Sequence, residues 1–74
     1  MFPNREIVEK IRKDYPVGTV VELVRMNDEQ APPIGTRGVV WGVDDIGSLM
    51  VHWENGSGLH VCYGEDKVVK VEGK

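Results

Sequence analysis

His52, His60 and Cys62 lie within one short stretch, SLMVHWENGSGLHVC (48–62), together with Trp53. Imidazole and thiolate are ligands for zinc, and two histidines facing each other across paired strands bring their Cβ atoms to about 5 Å. Zinc takes four protein ligands, or three and a water. The neighbours that would complete the set, Met50 and Glu54, do so poorly, so no metal is assigned. A nucleophile needs a base and an oxyanion site beside it. Ser48 and Ser57 fall in turns, and Cys62 has no helix N-terminus to lower its pKa. The carboxylate pairs Asp44-Asp45 and Glu65-Asp66 are turn residues of the kind that accept local backbone donors. The pattern therefore predicts neither an enzyme nor a cofactor.

What positions these residues is a helix followed by short strands. In PNREIVEKIRKDYP, Asn4 suits an N-cap, and Ile7, Val8, Ile11 and Tyr15 fall on one helical stripe before Pro16 ends it. An amphipathic helix is expected over 5–14, with exposed Glu6–Lys10 and Glu9–Lys13 pairs on its polar face. Beyond residue 17, valine-rich segments alternate with glycine and Asx turns. They predict strands at 19–26, 36–43, 48–54, 58–62 and 67–72, with a long loop at 27–35 where Pro32 and Pro33 cannot donate ladder hydrogen bonds. YGED between the last two strands is a tight helical turn. The fold class read from this order is mainly β, a small five-stranded antiparallel barrel (17–74) preceded by an N-terminal α-helix (1–16), together one domain.

The ENGSG turn sets which side chains face inward. A three-residue loop, Asn55-Gly56-Ser57, pairs Trp53 with Leu59 and Val51 with Val61 on one face, and His52 with His60 and Met50 with Cys62 on the other. A four-residue loop at 44–47 pairs Leu49 with Gly42, Val51 with Val40 and Trp53 with Gly38. Gly38 and Gly42 then remove bulk opposite large inward residues. The expected core is Val21, Leu23, Val40, Val43, Leu49, Val51, Trp53, Leu59, Val61, Val68 and Val71. Val39, Trp41, Met50, His52, His60 and Cys62 point outward.

With 74 residues and one cysteine the chain can form neither a large buried cavity nor an internal disulfide, and no apolar run is long enough for a membrane span. The start MFPNREIVEK lacks an apolar stretch after a basic one, so the expected location is cytoplasmic. Nine Lys plus Arg against twelve Asp plus Glu give a net charge of −3, which disfavours nucleic acid as partner.

The Gly35, Gly38, Val40 step, the long first loop and the one-turn link before the last strand resemble SH3-like barrels, the group that includes KOW, Tudor and SH3 domains. More narrowly, the segments APPIGTRG and VHWENGSGLHVCYGEDKV resemble a family of small bacterial and bacteriophage proteins of unknown function, over some 53 residues. The resemblance implies a compact barrel in a viral or mobile genome context and carries over no catalytic residue. A signalling SH3 groove needs an acidic, tyrosine-rich loop and a tryptophan pair that are missing, and KOW-type RNA binding needs more cations than Arg25, Arg37 and Lys67.

Trp41 is the most informative single residue. Exposed beside Val39, Met50 and His52, it forms an apolar patch that asks for a cover. One cover is the N-terminal helix. The other is a partner, either another protein or a second copy of the chain, with Trp41 as anchor. The sequence thus points first to a non-catalytic module binding protein through Trp41, Val39, Met50, His52, His60, Arg37 and Arg25, beside the 27–36 loop. Two alternatives stand: a nucleic-acid module in which Trp41 and Tyr63 stack on bases, and an oligomer holding a nucleotide between subunits.

Overall fold

The computed structural model describes residues 4–71. Helix α1 spans Arg5–Asp14, where the sequence predicts it. The Asn4 side chain accepts the Ile7 N–H at 2.9 Å, closing one of the orphan donors of the first turn. At the other end the Tyr15 N–H donates to the Ile11 carbonyl, and Pro16 comes next. Val8 is buried, with Ile11 and Tyr15 packed on the same cluster. On the outer face Lys10 pairs with Asp14 at 3.1 Å, in place of the Glu6–Lys10 and Glu9–Lys13 pairs expected.

The helix leads into four strands: β1 (Val20–Arg25), β2 (Arg37–Val43), β3 (Leu49–Trp53) and β4 (Lys67–Lys70). They form one antiparallel sheet in the order β3-β2-β1-β4. This corrects the expected five-stranded SH3-like barrel. The sheet is open, β3 and β4 are its two edges, and 58–62 is not a strand.

The reason lies at Leu59. The Leu49 and Val61 backbones exchange hydrogen bonds of 3.0 and 2.9 Å, and the Trp53 N–H donates to the Ser57 carbonyl at 3.1 Å. Between these two points Val51 and Leu59 would be the next pair of the ladder. Leu59 is already committed to side chains: its carbonyl accepts the Trp53 indole N–H at 2.9 Å, and its N–H donates to the Ser57 hydroxyl at 3.2 Å. Only the isolated Leu49–Val61 bridge survives. The turn is still three residues long, but it is Glu54-Asn55-Gly56, with Gly56 in the left-handed region at φ 90°. The register is therefore offset by two from Trp53–Leu59, Val51–Val61, His52–His60 and Met50–Cys62. An offset of two preserves the facing of every side chain.

The β2–β3 pairing begins as expected, with Gly38 opposite Trp53 and Val40 opposite Val51, then shifts at a bulge. Gly42 lies opposite Met50 rather than Leu49, which pairs with Val43, and Trp41 is the extra residue. A Cβ at Gly38 would stand 2.8 Å from the His52 carbonyl and 2.9 Å from the Trp53 ring, so the position admits only glycine.

The buried cluster is Val8, Val21, Leu23, Val40, Val43, Leu49, Val51, Trp53 and Val61. Leu59, Val68 and Val71, expected inside, are half-buried where the sheet stays open. The last expected strand ends at Lys70, and its Glu72 lies outside the described residues. The 27–36 loop is tied back to β1, since the Gly35 N–H donates to the Leu23 carbonyl and the Leu23 N–H to that of Thr36, both at 2.8 Å. The molecule is a plate of 32 × 31 × 16 Å.

Candidate functional site

Alternation along β2 and β3 sends one set of side chains into the core and the other outward. Trp53 is 4% exposed and Trp41 47% exposed. The strand phase read from the sequence is the one observed. The helix packs on the inner face, through Val8, and Arg12 of α1 donates to the Val43 carbonyl at 3.2 Å. It does not cover Trp41, so the first of the two covers is corrected.

The outer face brings most of the expected residues together. The Trp41 and His52 rings lie 5.4 Å apart, tilted by 45°. Val39 stands opposite His52 on one side and opposite Val20 on the other. Met50 is opposite Gly42, next to Trp41 along the sheet. Arg37 stands opposite Glu22, and its Nε donates to the carboxylate at 3.3 Å. Glu22 in turn lies opposite Val69 of β4. The apolar surface thus runs across the whole sheet, from Trp41 and Val39 through Val20 to Val69, with one ion pair in the middle.

Two expected members lie elsewhere. His60 faces Asp44 of the preceding turn, with Nδ1 3.7 Å from the carboxylate, and does not meet His52. Arg25 ends β1 beside Lys67, past a bulge between Leu23 and Arg25. Sequence reasoning missed Val20, Glu22 and Val69, because VVEL and KVVKV alternate too poorly to assign a face. The signal available was the run of valines itself.

Cys62 is exposed, and its N–H donates to Asp66 at 2.8 Å. Partial burial of the sulfur pushes the thiol pKa up, and the Asp66 and Glu65 carboxylates push it further, against a hydrogen bond from Ser48 that lowers it. That is the reverse of what a nucleophile or a metal ligand needs. Among the described residues no three His, Cys, Asp or Glu side chains gather as a metal set. An apolar groove of about 320 Å³ lies on the inner side between the helix and the 61–68 segment, lined by Ile11, Tyr15, Leu49, Val61 and Val68. Its charged residues, Asp66 and Lys67, offset each other and offer no cluster of cations for a phosphate. Among the described residues no helix is long and apolar enough to cross a membrane.

Searches of the curated proteins and of the solved structures found no match for the chain. A family model described as "Domain of unknown function (DUF4314)" matches residues 4–71, nearly the whole chain, and the chain belongs to that family.

Proposed function

We propose that the chain is a non-catalytic binding module of the bacterial or bacteriophage cytoplasm that works by burying the outer face of its sheet against protein. The observation that carries this reading is the uncovered Trp41, 47% exposed at one end of a valine-rich sheet surface whose opposite side already holds the helix. Indole is among the commonest anchors of protein interfaces, since it buries a large area at a small cost in side-chain entropy. Val39 and Met50 extend the apolar contact, while His52 and Arg37 add polar groups to it. His60, Arg25 and the 27–36 loop belong to the rim at most. Nucleic acid fits less well, because the cation among the central outward residues, Arg37, is already paired with Glu22.

The test compares immobilised wild type, Trp41→Ala and Ile34→Ala, the latter at an apolar residue of the 27–36 loop that is more exposed than Trp41. Protein from the native host retained by wild type and by Ile34→Ala, but lost tenfold or more from Trp41→Ala, supports the reading. Retention should also persist from about 50 to 200 mM salt, over which phosphate contacts would weaken by orders of magnitude. Identical retention by all three chains overturns it.

A further inference from the structure

The outer face carries a pattern that identifies its occupant. Across the seam between β1 and β2, Val20 is the register partner of Val39, and Glu22 is that of Arg37. A two-fold axis laid along this seam, parallel to the strands, turns the sheet over onto a second sheet and exchanges β1 with β2. Each outward residue then faces its own register partner on the other copy. Val39 faces Val20, and Arg37 faces Glu22. The in-chain pair at 3.3 Å becomes a ring of four charges alternating in sign, so that neither copy buries a charge without a partner. Such self-complementarity is what a two-fold contact between identical subunits requires. An axis parallel to the strands also keeps the two sets aligned, within the roughly 30° at which sheets stack.

Trp41 fits the same operation. The Gly18 N–H donates to the Val40 carbonyl at 2.8 Å, which brings the Val17–Gly18 turn beside the bulge that carries Trp41. Across the axis, the indole of one copy meets that turn on the other. There Gly18 has no side chain, a Cβ built on it touches nothing within 4 Å, and Val17 is 74% exposed. A large protruding ring meets an open apolar corner.

From this we infer that a second copy of the chain covers the outer sheet face, in a two-fold dimer whose axis runs along the β1–β2 seam. The inference rests on the reading of the outer face as a protein contact and names its occupant. Four strands about 4.8 Å apart and roughly 17 Å long offer about 300 Å² of projected area per copy. For the pair that is about 600 Å², below the ~1,000 Å² of a stable specific interface, so the contact is weak and the dimer forms reversibly with concentration.

Sedimentation equilibrium of the full chain tests it, at about 5 µM and about 0.5 mM, the latter high enough to more than half populate a dimer of Kd up to ~0.1 mM. Wild type should approach twice the chain mass at the higher concentration. Glu22→Arg and Arg37→Glu should each remain monomeric, since each homodimer sets four like charges together. An equimolar mixture of the two should recover a dimer, because each copy now supplies what the other lacks. A wild type that stays monomeric at about 0.5 mM overturns the inference, as does a mixture no heavier than its components. Iodide quenching of Trp41 in the same samples separates this failure from that of the broader reading. A monomeric wild type leaves the outer face open for a different protein, to be decided by the Trp41→Ala capture. A dimer in which Trp41 stays as quenchable as in dilute solution shows association through another surface, and counts against the face itself.

Discussion

The two tryptophans differ in nearly every respect that matters to stability. Trp53 fills the core against Gly38 and donates to Leu59, whereas Trp41 touches His52 on the surface. Trp53→Ala should therefore cost about 3–5 kcal/mol in urea unfolding, a large share of what holds so small a domain together. Trp41→Ala should change it by no more than about 0.5 kcal/mol. The reverse order would mean that the strand phase is wrong. Cys62 has its own signature. Its raised pKa favours the protonated thiol in the folded chain, through partial burial and then Asp66 and Glu65. The stabilising contribution is present below the thiol's unfolded value and is lost as pH rises through the folded one. Alkylation by iodoacetamide at about pH 8 should accordingly be slower in the native state than in urea. Glu65→Gln should speed the native reaction; no change would remove that carboxylate as a cause.

At the level of elements, the pairing of β2 with β3 was readable as far as Val40, that of β3 with 58–62 was read two residues out of register, and those of β1 with β2 and β4 were not read. The helix was legible at both ends, because Asn4 and Pro16 act locally through a cap and a missing donor. The inward phase of β2 and β3 was legible as well, since Leu49, Val51 and Trp53 recur at every second residue of β3 and the 44–47 turn carries that phase onto β2. The bulge at Trp41 was not, because one inserted residue leaves the apolar pattern unchanged up to Val40 and displaces only the pairing from Gly42 onward. Nor was the loss of the fifth strand. Residues 58–62 have a good strand pattern, and they are stopped by an indole and a hydroxyl that take the two backbone groups of Leu59, which alternation cannot reveal. The candidate surface obeyed the same rule, with the β2 and β3 members found and the β1 and β4 members missed. The two sheet glycines separate these cases experimentally. A Cβ at Gly38 meets backbone and a buried ring, so Gly38→Ala should destabilise by about 1–3 kcal/mol. At Gly42 the close neighbour is the methyl tip of Met50, which can swing away, and Gly42→Ala should cost less in the same urea titration. Equal costs would refute the bulged register.

For the molecule as a whole, the core is one layer deep, and its fully enclosed side chains, Val21, Leu23, Val40 and Val51, all lie on the three strands β1 to β3. Amides of β1 and β2 should exchange with solvent most slowly, and those of the short edge strand β4, with Val68 only half-buried, should open first. Exchange in which β4 outlasts β2 would contradict this ordering. A plate 16 Å thick also assigns its two broad sides to different duties. One side answers to folding and tolerates little change. The other leaves Trp41, Val39 and Val69 exposed, so replacing them costs the fold little, and a lineage could exchange one binding partner for another without first having to re-solve the problem of stability.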